Sequence, residues 1–153
     1  MIKTFLIVFL LVVSSESIEI KCKGCSAGKD MVKCDYYVVK QHNLTYQRSC
    51  LAYAQYIDMD GMYAKAAWYY LLGGDKQKAK KSATKALREG YHYAAEYKGF
   101  ADLLVGNQKE AQKALIFFRN KVKNIDYAKR DIEIMKYIYI NFDSKSVDKI
   151  LYR

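Results

Sequence analysis

Sliding the chain against itself by 32 residues superimposes a run of like residues, and no other feature constrains its fold as strongly. Leu71 falls on Leu103, Leu72 on Leu104, Gly74 on Gly106, Ala79 on Ala111 and Lys81 on Lys113. Trp68 falls on Phe100, Ala67 on Gly99 and Asp75 on Asn107. A recurring unit of about this length is one helical hairpin. Alone it cannot bury its apolar stripe, so neighbours must stack to cover it. Moved back by the same amount the pattern is fainter: His42-Asn43 takes the turn position, Tyr36 the Trp68 position and Ala54 the Ala86 position. A degenerate first unit over about 28–59 is expected. Carried forward, the pattern fails after about residue 130, as a closing hairpin with a different outer face requires.

Within the units, apolar and small residues recur three and four apart without sustained alternation, which is helical periodicity. The chain has no Pro and 8 Gly in 153 residues, too few turn formers for a sandwich or barrel. Asn43 and Thr45 are expected to cap a helix running to about Met59, broken by Asp60-Gly61. A helix from about Met62 to Leu72 follows, then a Gly73-Gly74 turn. Asp75 can cap a helix ending at Gly90, and another runs from about Tyr91 to Val105. Asn107 with Glu110 has the spacing of a capping box, opening a helix to about Lys123. Asp126 can cap a helix through Asn141, and Asp143 or Ser144 a last short one. The expected fold is all-α: a short α-solenoid of stacked antiparallel helix hairpins.

The N-terminus points to export. After Met1-Ile2-Lys3-Thr4 comes an apolar run from Phe5 through Val13, then Ser14, Ser15, Glu16 and Ser17. A cationic start, an apolar stretch and small residues make a signal peptide, here 1–17; a spanning helix needs about 20 apolar residues. Residues 18–27 then form a Cys-containing segment before a helical domain over 28–153. The protein is expected in the periplasm or secreted. Cys22, Cys25, Cys34 and Cys50 are even in number, so two disulfides are expected there. Zinc is the competing reading of Cys22-Lys23-Gly24-Cys25, but Cys34 and Cys50 make no second close pair. With a turn at His42-Asn43, Cys34 and Cys50 become neighbours across an antiparallel pair. A Cys34–Cys50 bridge then leaves Cys22–Cys25 as a local loop; the alternative connectivities cross the N-terminal segment onto the hairpin.

Gly74-Asp75-Lys76-Gln77-Lys78-Ala79 followed by Lys85-Ala86-Leu87 resembles the second-helix motif of the tetratricopeptide (TPR) family. That family's small first-helix residue is matched by Ala67 and Gly99, and its large one by Tyr63. The run from Lys85 to Gly90 also resembles a Sel-like repeat end. The resemblance covers about 60–122. It departs at Tyr91, where the family has Pro, and at Ala95, where it has a large residue. Such repeats bind partners on a concave face lined by first helices. The resemblance therefore places Trp68 and Phe100 in that groove, with Lys65 and Tyr97 beside them; the competing reading packs the aromatics into core.

The formal net charge is +10, and Lys76, Lys78, Lys80, Lys81, Lys85 and Arg88 crowd one helix. Lys80, Lys81, Lys85 and Arg88 are expected either on a solvated face or against an anionic envelope polymer or membrane surface. Nucleic acid is disfavoured by export and by the lack of interleaved aromatics. No catalytic, cofactor or metal signature is present. His42 and His92 have no nucleophile or acid at motif spacing, there is no GxSxG elbow, and Asp58 and Asp60 read as helix-end residues. Asn43-Leu44-Thr45 fits a glycosylation triplet as well as a cap. The expected function is an exported, non-enzymatic module for a protein or peptide partner. The alternatives are a Sel-like cell-wall hydrolase of β-lactamase type and a basic envelope-binding protein.

Overall fold

The computed structural model describes the backbone from Lys23 and the side chains from Ser26, both through Arg153. The expected signal segment 1–17, Cys22 and the side chain of Cys25 lie outside the described residues. The described chain is a succession of helices: α1 (Lys23–Lys33), α2 (Gln47–Met59), α3 (Tyr63–Leu72), α4 (Lys76–Arg88), α5 (Ala94–Leu104), α6 (Gln108–Lys121), α7 (Ala128–Ile138) and α8 (Ser144–Tyr152). No strand occurs among the described residues. The all-α expectation holds, and consecutive helices pack as pairs stacked in chain order.

The repeated turns have a repeated cause. After α3, Gly74 takes φ 89° while its N–H reaches the Leu71 carbonyl at 3.1 Å, and the Asp75 N–H reaches Tyr70 O at 2.9 Å. After α5, Gly106 takes φ 85° and repeats both bonds, to Leu103 O at 3.1 Å and from Asn107 N to Asp102 O at 2.8 Å. Glycine enters this left-handed conformation without a Cβ clash, and the paired bonds satisfy orphan carbonyls at the helix end. Asp75 then caps α4 by accepting from Lys78 N at 2.9 Å, and Asp143 caps α8 by accepting from Ser146 N at 3.1 Å.

Several expected helix starts differ, and α5 begins at Ala94 rather than near Tyr91. Asn43 accepts from Thr45 N at 3.1 Å, but the turn it opens is a 3-10 turn, Leu44–Tyr46, and α2 begins only at Gln47. Asn107 forms no capping box: its Nδ2 turns back toward Asp102 at 3.5 Å, and Glu110 bonds Lys113 at 2.8 Å. The buried Asp102 carboxylate needs donors more than a solvated helix start needs an acceptor. Asp126 does not cap α7 either. A tight Ile125-to-Ala128 turn starts that helix at Ala128, and Asp126 pairs weakly with Lys129 at 3.6 Å. Helix α7 also stops at Ile138 rather than Asn141, because Tyr139 is extended.

Helix α1 runs on as a wider π-helical stretch, Cys34–Lys40, which closes on His42 at φ 54°. Cys34 in that stretch is bonded to Cys50 on α2, with Cα atoms 4.9 Å apart and both residues fully buried. One of the open connectivities is thereby realised in the degenerate first unit.

Helices α1, α3 and α5 are the first members of their hairpins. Helix α3 packs closely on α5, and these two first helices form the inner row. Helix α8 continues the stack by packing on α6, whereas α7 also meets α3. The core between them holds Leu71, Leu72, Phe100, Leu115, Phe118, Ile132 and Met135, all at most 2% exposed. Removing each such side chain from water contributes about 1.5–3 kcal/mol.

Candidate functional site

The resemblance to helical repeats puts a partner on the inner row, and here the chain's own C-terminal part lies against it. Tyr139, just past α7, donates to Leu71 O at the end of α3 at 2.7 Å. Tyr137 donates to His42 O, and its ring stacks on the His42 ring at 4.2 Å. Phe142 meets Phe100 of α5 edge-on at 5.3 Å. At the other end of α7, Tyr127 meets Phe118 of α6 at 6.1 Å. These four contacts carry α7 from α6, past α5 and α3, to the turn after α1.

The expected groove residues are divided by this arrangement. Phe100 is fully buried and does not line an open surface; Phe142 covers it. The expectation is corrected there, for an aromatic ring of that size is most stable enclosed. Trp68 and Tyr97 are half-buried, with ring centroids 5.5 Å apart. Lys65 is exposed, its ammonium 5.2 Å from the Tyr53 ring centroid. From Tyr97 the aromatic row continues to Tyr93 at 6.4 Å and from there to Tyr91 at 6.2 Å, both exposed.

Beneath this row sits a feature the sequence reading missed. Glu96 of α5 is fully buried, and neither carboxylate oxygen has a hydrogen-bond partner. Burial, then the nearby Asp131 of α7, push its pKa well above the usual carboxylate range, against a weaker pull from Arg130. Asp131 is 1% exposed and its pKa is raised by burial, opposed by Arg130, whose Nη2 lies 3.0 Å from Oδ1. Burial chiefly, and these two acids, also hold the Tyr97 and Tyr127 hydroxyls above their ordinary range. The signal was present: Glu96 precedes Gly99, Phe100 and Leu103 by three, four and seven residues, and Asp131 shares a face with Ala128, Ile134 and Met135.

The expected basic face is also divided. Lys80 is drawn inward: its Nζ lies 2.7 Å from Oδ1 of the fully buried Asp102, while Lys98 takes Oδ2 at 2.5 Å. Burial would raise the Asp102 pKa, but the two ammonium groups overcome it and hold the carboxyl below its ordinary value. Lys85 stands 4.5 Å over the Tyr63 ring, a cation–π contact between α4 and α3. Lys81 and Arg88 remain exposed, with no ion-pair partner among the described residues. Asp58 accepts from Ser82 Oγ at 2.6 Å, tying α2 to α4 rather than ending a helix.

Neither histidine makes a side-chain hydrogen bond among the described residues: His42 stacks on Tyr137, and His92 meets Phe117 at 5.5 Å. No group of three His, Cys, Asp or Glu residues there is arranged to hold a metal. No helix among the described residues is long and apolar enough to cross a membrane. No family model matches the chain, and neither a curated protein nor a solved structure matches it. Geometry thus defines its class as all-helical, with hairpins packed in adjacent pairs, compatible with a helical repeat fold.

Proposed function

We propose that this protein is an exported, tetratricopeptide-like interaction module that holds a protein or peptide on its inner face, beside α7, without chemistry of its own. The observation that carries the reading is the aromatic row Trp68–Tyr97–Tyr93–Tyr91 crossing from α3 to the start of α5. Rigid rings with polar tips give large contact area at small entropic cost, and such residues dominate binding energy at interfaces. Lys65 adds a cation three residues before Trp68 on the same helix. Export is supported by the pattern of residues 1–17 and by the Cys34–Cys50 bond, since such bonds persist in oxidising compartments.

The test is affinity capture from the native host's extracellular or envelope fraction with wild type, Trp68→Ala and Tyr93→Ala. Circular dichroism would check that each variant is folded. A specific partner recovered by wild type and lost with the folded Tyr93→Ala variant supports the reading. Recovery unchanged in both folded variants rejects the inner face as the binding surface.

A further inference from the structure

Where α8 lies against α6, the two helices and Leu103 of α5 leave an open cleft of about 600 Å³ that shares no residue with the aromatic row. Its charged lining is all cationic: Lys109 and Arg119 from α6, and Lys149 from α8. The acids of both helices are engaged elsewhere. Glu110 bonds Lys113 at 2.8 Å, and Asp143 is bonded to the N–H and hydroxyl of Ser146 at 3.1 and 2.6 Å. Asp148 lines a separate depression with Lys129 and Tyr152.

Arg119 is fixed in place. Its Nη1 donates to Ile150 O on α8 at 2.7 Å, which holds the guanidinium at the junction and leaves its other N–H groups for an incoming acceptor. The floor is apolar, formed by the half-buried Leu103, Ile116 and Ile150. Cationic ends over an aliphatic floor match an occupant with carboxylates and an aliphatic side chain between them. A bare polyanion would leave the floor unused. A second copy of this chain, at net charge +10, would be repelled. Lys109 and Arg119 are ten residues apart on one helix, so they span roughly 15 Å. An extended peptide of about five residues covers that length.

We propose that the α6–α8 cleft is a docking site for an acidic peptide segment of about five residues, whose carboxylates pair with Lys109, Arg119 and Lys149 and whose aliphatic side chain rests on Leu103, Ile116 and Ile150. The site is independent of the inner-face reading, and either can fail alone.

Fluorescence anisotropy with a labelled Glu-Leu-Glu-Leu-Glu peptide and the full mature chain tests it. Saturable binding is expected, weakened about tenfold or more by Lys109→Glu and by Lys149→Glu, since each removes a charge-assisted contact and adds a repulsion. Lys81→Glu changes the net charge equally on a distant helix and should leave binding within about twofold. Equal loss with Lys81→Glu would show unspecific attraction and overturn the site. Equal binding of Glu-Ser-Glu-Ser-Glu would overturn the role of the floor. Displacement of the peptide by phosphatidylglycerol vesicles or by a thymidine oligonucleotide, with the same Lys109 and Lys149 dependence, would overturn the assignment to peptide. Absence of any binding by the folded wild-type chain would overturn it outright.

Discussion

The Tyr139 hydroxyl donates to the Leu71 carbonyl at 2.7 Å across 68 residues of chain, and this bond fastens the end of α7 to the end of α3. The Leu71 carbonyl also accepts from Gly74 N–H, and its second lone pair takes the Tyr139 phenol where α7 ends. Burial, and then Asp75, raise the Tyr139 pKa, so the phenol stays a donor through the neutral range. Tyr139→Phe should lower stability by about 1 kcal/mol, the usual net value of one such bond. Urea unfolding should show a lower midpoint at unchanged slope; an unmoved midpoint would mean α7 is held without it.

The Cys34–Cys50 bond closes a loop of 16 residues in the least regular hairpin. A loop of that size contributes about 3 kcal/mol. The Cys34→Ala/Cys50→Ala variant should melt well below wild type in oxidising buffer. Reductant should lower wild type toward the variant and move the variant far less, since the expected Cys22–Cys25 bond closes only a local loop. Equal melting of the two proteins before reduction would refute the contribution.

Glu96 and Asp131 give stability a defined dependence on pH. Both have folded pKa values above their unfolded ones, with burial as the main cause. Their stabilising contribution is complete below the ordinary carboxylate pKa and is lost as pH rises through the folded values. Asp102 has the opposite sign, but its pKa lies below the ordinary carboxylate value, so its contribution is constant from pH 5 upward. The melting temperature should therefore be higher at about pH 5.5 than at about pH 8. Glu96→Gln, which cannot ionise, should flatten that slope. A variant with the wild-type slope would exonerate Glu96.

Lys80 and Lys98 share the Asp102 carboxylate between α4 and α5. Losing either ammonium should cost about 2 kcal/mol, as for a hydrogen bond to a charged group. Losing both strands a buried charge, so Lys80→Ala/Lys98→Ala should cost more than the two single changes together. Adding Asp102→Asn to the double variant should restore part of the loss. Strict additivity in chemical denaturation would show that the pair acts as two separate surface contacts.

Much of the fold was legible because its causes are local. The Gly74 and Gly106 turns, the Asp75 and Asp143 caps and the period of 32 act within a few residues of chain or repeat a local device. The caps that misled, Asn107 and Asp126, are residues whose side chains serve more than one purpose. Asp102 claimed one and solvent the other. The candidate site was legible only in part. Trp68, Tyr97 and Lys65 lie at the inner row, but Phe100 is enclosed, and Lys80 leaves the basic face for Asp102.

By itself the sequence determined that the chain forms helices, where most of the turns fall, and that the units stack, since helical periodicity and left-handed glycines need no distant partner. Only the tertiary structure decided which charges are spent and which face is open. Those outcomes rest on pairs remote in sequence, Phe100 with Phe142, Lys80 with Asp102 and Leu71 with Tyr139. Burial makes each such pair strong, and burial exists only once the helices have packed: α4 on α5 for Lys80 with Asp102, and the segment around α7 on the inner row for the other two.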